Sequence, residues 1–212
     1  MTGCRALIQL ITPCMPQLHH VSFAYPHRVL WQQYSVDLRA SRLCLQAPNG
    51  YGKSTLLLLI AGLLEQAQGE ILLQGQRCDA NSRIAQVALA SDSIPYPDWL
   101  TAQQLLDLQQ ACWQKTLDPA LLSLLDFHDQ LQTPYGHLSS GNRKKCQLLL
   151  ALLRQCPLLL LDEPGAGLDQ RSLQQLPALL AAYPGQVILT SHEPALFQQA
   201  GFVLQPLTGR QW

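Results

Sequence analysis

Charged residues are scarce in this sequence. Lysine, arginine, aspartate and glutamate make up 13% of its 212 residues, about half the usual share. The 14 basic residues balance the 14 acidic ones, and the sequence pI is near 7.0. Binding nucleic acid through a basic face calls for a cationic excess, so no nucleic-acid partner is expected. An acidic disordered tail is excluded on the same count. Long hydrophobic runs are missing too: 56–61 and 148–153 are six residues each, against roughly 20 for a bilayer span. The first thirteen residues hold one arginine and a short apolar patch interrupted by Gln9. They lack the apolar core and small-residue cleavage site of a leader. The seven cysteines, at 4, 14, 44, 78, 112, 146 and 156, are odd in number and form no C-x-x-C pair. That argues for free thiols in a reducing compartment over a disulfide or zinc framework. His19 and His20, adjacent in a strand, point to opposite faces and share no metal. There is no internal repeat, low-complexity tail or long linker.

Leucine (45) and glutamine (27) fill the place of charge, and 48% of the chain is hydrophobic. The length suits one domain with a small insert, able to bury roughly 70% of its unfolded surface without staples. A surface poor in charge, at zero net charge, associates easily. A partner is therefore expected.

Short apolar segments at 17–23, 35–38 and 42–46 predict strands of an N-terminal sheet, followed by a glycine-rich loop at 47–53 and an apolar helix ending near Gly62. Two more strands are expected at 70–73 and 84–90. Over 101–131 leucines recur at helical spacing among Gln and Asp, with Asp118-Pro119 opening a second helix. Proline-containing stretches at 95–97 and 133–136 bound this helical insert. A helix at 142–155, a fully apolar strand at 158–161, a helix at 170–182 and a strand at 186–190 complete the pattern. Wholly apolar strands alternating with helices indicate a parallel sheet covered on both faces.

The segment Ala47-Pro-Asn-Gly-Tyr-Gly-Lys-Ser-Thr55 follows a strand and opens a helix, the context a phosphate loop requires. Gly50 and Gly52 let successive N–H groups converge on phosphate oxygens, and the helix N-terminus adds partial positive charge. Lys53 reaches the β- and γ-phosphates, and the Ser54 hydroxyl coordinates Mg2+. An ordinary glycine turn would not place Lys-Ser-Thr directly before an apolar helix. At the carboxyl end of the strand 158–161, where open α/β sheets bind ligands, stand Asp162 and Glu163. Asp162 is placed to help hold Mg2+, and Glu163 to polarise an attacking water.

Just upstream lies Leu138-Ser-Ser-Gly-Asn-Arg-Lys-Lys145, and just downstream lie Gly165-Ala-Gly-Leu-Asp169 and Thr190-Ser-His192-Glu. In this order and spacing the motifs resemble the ATPase subunit of ATP-binding-cassette (ABC) transporters, from about Met15 to the C-terminus. The resemblance implies an α/β P-loop fold with a mixed sheet core, an N-terminal antiparallel β-subdomain and a helical insert at about 95–140. Residues 15–212 would form one domain, with 1–14 a dispensable extension. It implies ATP and Mg2+ as cofactors, and nucleotide binding by Tyr25, stacked on adenine, together with Ala47, Pro48, Asn49, Gly50, Tyr51, Gly52, Lys53, Ser54 and Thr55. Ser139, Ser140, Gly141 and Asn142 would touch the γ-phosphate held by a second ATPase subunit, and Asp169 would link the two sites. His192 would bond the γ-phosphate and Glu163. The implied setting is the cytoplasmic face of a bacterial-type inner membrane, with separate permease chains.

This sequence departs from the family pattern in three places. Ser140 and Asn142 stand where the signature has Gly and Gln, Ala47 stands where the phosphate loop has Gly, and the glutamine preceding the insert is missing. Asp92 or Ser91 occupies its place, and Asp92 is able to bind Mg2+ as a substitute. Alanine where φ is positive costs about 1 kcal/mol or more, which predicts roughly tenfold weaker affinity or closure and slow hydrolysis. An export-type subunit is the reading the short insert favours, as in ATPases for haem or peptides, with the cargo chosen by the membrane chains. Two alternatives stay open: a soluble ABC ATPase of repair or translation, and a non-catalytic nucleotide-binding regulator. The first normally carries tandem cassettes, coiled-coil arms or cluster cysteines, which this sequence lacks. The apolar aromatic run at 94–99 is expected to mark an interface in the groove between core and insert, with simple packing against the insert as the rival reading.

Overall fold

The computed structural model describes residues 13–208; the question of residues 1–12 lies outside them. The chain opens with the hairpin β1 (Gln17–Tyr25) and β2 (Arg28–Asp37), then β3 (Arg42–Gln46) leads through the phosphate loop into α1 (Lys53–Ile60). β4 (Gln68–Leu73) and β5 (Gln76–Arg77) complete a four-stranded antiparallel sheet in the order β2-β1-β4-β5. Next come α2 (Ala80–Gln86), β6 (Val87–Ala90), and the insert helices α3 (Ala102–Trp113) and α4 (Pro119–Leu124). The rest is α5 (Ser140–Leu153), β7 (Leu158–Leu161), α6 (Gln170–Ala181), β8 (Gln186–Thr190), α7 (Pro194–Gln199) and β9 (Val203–Pro206). The second sheet is wholly parallel, in the order β6-β7-β8-β3-β9. Antiparallel and parallel pairing are thus both present, each confined to its own sheet.

The parallel sheet divides two cores, and the period of two along each strand assigns residues to them. Leu43, Leu45, Val87, Leu89, Leu158, Leu160 and Ile188 face α1 and the antiparallel sheet. Cys44, Ala88, Ala90, Leu159, Leu161, Val187 and Leu189 face α5, α3 and α6. Both faces are covered, so the central strands read as unbroken apolar runs. Cys14 is fully buried in the first core and Met15 N–H donates to Gln186 Oε1 at 2.7 Å. The packed domain therefore begins before residue 15, and the expected boundary moves outward. Burial pushes the Cys14 thiol up to about 12, Cys44 to about 11 and Cys146 to about 12, so these remain protonated core thiols.

Several expected boundaries shift. The segment 84–90 is a strand only from Val87; its first part belongs to α2, whose start Asp79 caps by accepting from Ser82 N–H. β2 begins at Arg28, well before 35, because pairing with β1 supports it past its apolar residues. β5, α7 and β9 were not expected. The two insert helices do follow the leucine pattern. Thr101 and Gln104 close α3 with a reciprocal capping box, and Asp118 with Pro119 opens α4.

Candidate active site

The parallel register brings four strand ends to one edge. Leu161 pairs with Ala90 and Leu189, and Leu45 with Thr190. The ladder runs one step on through Asp162 N–H to Ala90 C=O at 2.9 Å. Residues after β3, β6, β7 and β8 therefore face a common cleft of about 390 Å3. It holds Tyr25, Pro48, Asn49, Gly50 and Gly52 to Thr55, with Asp92, Asp162, Glu163 and His192. Ala47 and Tyr51 turn instead toward the core beneath the loop.

Gly52 has φ +107°, and a Cβ there would fall 2.7 Å from the Trp31 ring and 2.8 Å from Leu30. Only glycine fits, and the loop is held open against β2. Lys53 Nζ donates to Ala47 C=O at 2.8 Å, spanning the loop. Tyr25 is 43% exposed on the cleft wall, set edge-on to Phe23 with ring centroids 5.0 Å apart. Its hydroxyl shares a 3.0 Å hydrogen bond with Thr55 Oγ1. That leaves a ring face for a base while the hydroxyl ties β1 to the start of α1.

Asp162 is oriented by two hydroxyls: Thr190 Oγ1 donates to Oδ1 at 2.9 Å and Ser91 Oγ to Oδ2 at 3.1 Å. Thr190 also accepts the Glu163 N–H at 2.9 Å. Glu163 has φ +50°, a left-handed conformation that costs a non-glycine residue about 1–2 kcal/mol. Its Oε2 accepts from the His192 N–H at 3.0 Å. Oε1 is buried without a hydrogen-bond partner, 3.5 Å from His192 Nε2. One carboxylate oxygen is thus anchored, and the other lies beside the His192 ring without a hydrogen-bond donor among the described residues. Ser54 and Asp162 supply hard oxygen donors, which suit Mg2+, and hydroxyls that fix a carboxylate favour such a role. The residues present fit the ion.

Asp92 borders the same cleft, but α5 holds its carboxylate. Lys144 Nζ donates to Oδ2 at 2.8 Å and Gln147 Nε2 to Oδ1 at 3.2 Å. The sequence-based reading as a Mg2+ ligand gives way to an ion pair.

Ser139, Ser140, Gly141 and Asn142 lie outside the cleft, at the N-terminus of α5. Ser139 caps that helix by accepting from Asn142 N–H at 3.2 Å. Asp169 caps α6, accepting from Ser172 N–H at 2.9 Å, and pairs with Lys145 at 2.5 Å. The Lys145 hydrogen bond, with that from Ser172, holds the Asp169 carboxyl well below its ordinary range.

Neither Ala47 nor Ser140 has positive φ, which removes the strain expected of them. Alanine and serine adopt ordinary backbone there, Ser140 as the first residue of α5. Ala47→Gly with Ser140→Gly is accordingly expected to change the ATP concentration at half-maximal hydrolysis by less than about twofold, measured by phosphate release. The tenfold penalty expected from the sequence thus has no backbone strain to produce it.

Sequence reasoning missed Ser91 as an anchor of Asp162, Thr190 as its counterpart, and Arg28, whose Nη2 donates to Gly50 C=O at 3.1 Å. It also missed that Lys144 and Lys145 are buried. Their signal was composition: two of only four lysines stand side by side on the helix after the signature.

The family model described as ABC transporter matches residues 32–166. The cytochrome c biogenesis ATP-binding export protein CcmA of Pseudomonas putida (strain GB-1) is 33% identical over 197 residues, covering 87% of this chain and 91% of that protein. The ABC transporter F family member 4 of Arabidopsis thaliana is 32% identical over 89% of this chain but 26% of its own length. Among solved structures, an ATP-binding subunit of an ABC transporter superposes with TM-score 0.78 at 23% identity, covering 93% of this chain and 89% of that one. A dimeric ATP-binding cassette in a post-hydrolysis state, bound to ADP and Pi, gives 0.76 at 16%, covering 93% and 98%.

Proposed function

Because this chain belongs to the ABC transporter family and is an ATPase of that fold, we propose that it powers an export-type membrane transporter whose membrane-spanning parts are separate chains. The observation that carries the mechanism is the division of the site. The nucleotide cleft holds Lys53, Ser54, Asp162, Glu163 and His192, while the signature residues 139–142 stand apart at the N-terminus of α5. One chain has both halves of a site but does not join them.

Two copies set head to tail complete both halves. The phosphate loop and Lys53 cradle the polyphosphate of ATP, and the α5 N-terminus of the second copy offers its N–H groups and partial positive charge to the γ-phosphate. Mg2+, when bound, neutralises phosphate charge, with Ser54 and Asp162 as the residues that hold it. Glu163 Oε1 accepts a proton from the attacking water, and His192 steadies the charge beside it. ATP favours the closed pair and its hydrolysis products do not, and that difference drives a coupled partner between states. The similarity to CcmA over nine-tenths of that protein's length supports the export reading.

The docking face is the groove between core and insert. A cavity of about 180 Å3 there is lined by Leu63, Ile84, Leu89, Ile94, Tyr96 and Leu150, with Trp99 nearby in sequence and 78% exposed. Apolar surface rimmed by polar residues suits a protein partner. No helix among the described residues is long and apolar enough to cross a membrane; in this reading membrane association comes through such contacts. Fractionation of cells expressing the chain with and without a candidate permease chain tests this. The chain should pellet with membranes only when that protein is present. Recovery in the soluble fraction in both cases would overturn the transporter role in favour of a soluble ABC ATPase.

A further inference from the structure

The loop joining β6 to α3 starts at Ser91 and Asp92, and it is fastened from beneath by a lysine and a glutamine of α5. The Lys144 side chain is 5% exposed, whereas that of its partner Asp92 is 75% exposed. Besides the 2.8 Å bond to Asp92, Lys144 Nζ donates to the main-chain carbonyl of Asp162 at 3.3 Å. One turn further along α5, Gln147 donates to both Asp92 Oδ1 and the Tyr135 hydroxyl, at 3.2 and 2.9 Å. Asp92 also borders two cavities. One is the nucleotide cleft; the other, of about 570 Å3, lies between this loop and α5 and is lined by Tyr96, Tyr135 and Gln147.

A buried ammonium is a costly way to hold a loop. Neutral hydrogen bonds would do so without desolvating a charge, and the best-attested use of buried charge is to fix one register among several. Here the register matters to the site, because the residue preceding Asp92 is Ser91, whose hydroxyl orients Asp162 Oδ2. The path from Lys144 to the metal-binding carboxylate is therefore two bonded contacts long. We propose that Lys144 is a positioning residue for ATP hydrolysis: through Asp92 it clamps the loop 91–100 to α5, so that Ser91, the docking aromatics and the signature helix move as one piece. The clamp is made of this chain's own ion pair, and its loss loosens the loop that carries Ser91, leaving Thr190 as the side chain that still orients the Asp162 carboxylate firmly.

The full chain is compared with Lys144→Met, Asp92→Asn and the double variant. Hydrogen exchange should be at least about tenfold faster at Ser93 and Ile94, whose N–H groups donate to Ser91, while amides of the parallel sheet keep their protection. In phosphate-release assays kcat should fall about tenfold, with KM for ATP and affinity for ADP changed less than about threefold. The double variant should be no slower than Lys144→Met, since the ion pair that Asp92→Asn weakens is already gone in Lys144→Met. Additive losses, unchanged exchange at 93–94, or a rise in KM without loss of kcat would each overturn the proposal. Should Lys144→Met fail to fold, Asp92→Asn, at an exposed side chain, carries the same exchange and kcat–KM readouts alone.

Discussion

Replacing Glu163 by glutamine is expected to cut ATP turnover by about 10^2- to 10^4-fold, the usual contribution of a general base, while ATP binding survives. Glutamine is nearly isosteric and accepts the same left-handed backbone at φ +50°. Its amide oxygen still takes the His192 N–H that Glu163 Oε2 accepts at 3.0 Å. What changes is the other atom. Oε1, buried and unpartnered, becomes an NH2 group that donates instead of accepting, and the water loses its base. With hydrolysis stopped, ATP should accumulate in the closed pair. Phosphate release measures the first effect, and size-exclusion chromatography with and without ATP the second. Turnover within about threefold of the parent chain would remove Glu163 from the base role.

Gly141→Ala is expected to be nearly as damaging by another route. A Cβ at 141 would fall well inside 3 Å of the Gly167 carbonyl oxygen, and that obstacle is backbone. The loop carrying Gly167 cannot retreat easily. It ends at Asp169, which two bonds from Ser172 fix to the start of α6 and Lys145 ties to the body of α5. The first turn of α5 has to move instead, taking Ser139, Ser140 and Asn142 with it. Displacement of about 1 Å at a positioning element costs about 10^2-fold in rate, and that is the loss expected in kcat. The nucleotide cleft is built from other segments, so affinity for ADP should change less than about twofold. Equal losses in ADP affinity and turnover would show that the first turn of α5 supports the cleft itself.

Much of this was legible along the chain. β3, β7 and β8 lie where their apolar runs predict, because a strand buried on both faces favours apolar residues and admits a polar one only where it is hydrogen-bonded, as Gln186 and Thr190 are. The phosphate loop and Asp162 with Glu163 are recognisable because their chemistry is carried by residue type at short, fixed spacing, whereas His192 is legible only through the family resemblance. Strand ends aligned in one parallel sheet then deliver them to one cleft. The capped starts of α3 and α4 are local events for the same reason.

Tertiary structure decided the rest. β9, half exposed at the sheet edge, exists through its ladder with β3, 160 positions earlier (Leu43 with Val203), and no local pattern announces it. Ala47 and Ser140 look like strained departures until their φ values are known, and among the site carboxylates it is Glu163 that adopts the left-handed backbone. Lys144 and Lys145 read as solvated charges at the head of a helix. Packing buries both and assigns each an acid, 52 residues away for Lys144. Ser91 and Thr190 acquire roles only because β6 and β8 flank β7, so that two hydroxyls converge on one carboxylate. Residue type and spacing determine which chemistry is available; non-local pairing determines which groups are held still enough to perform it.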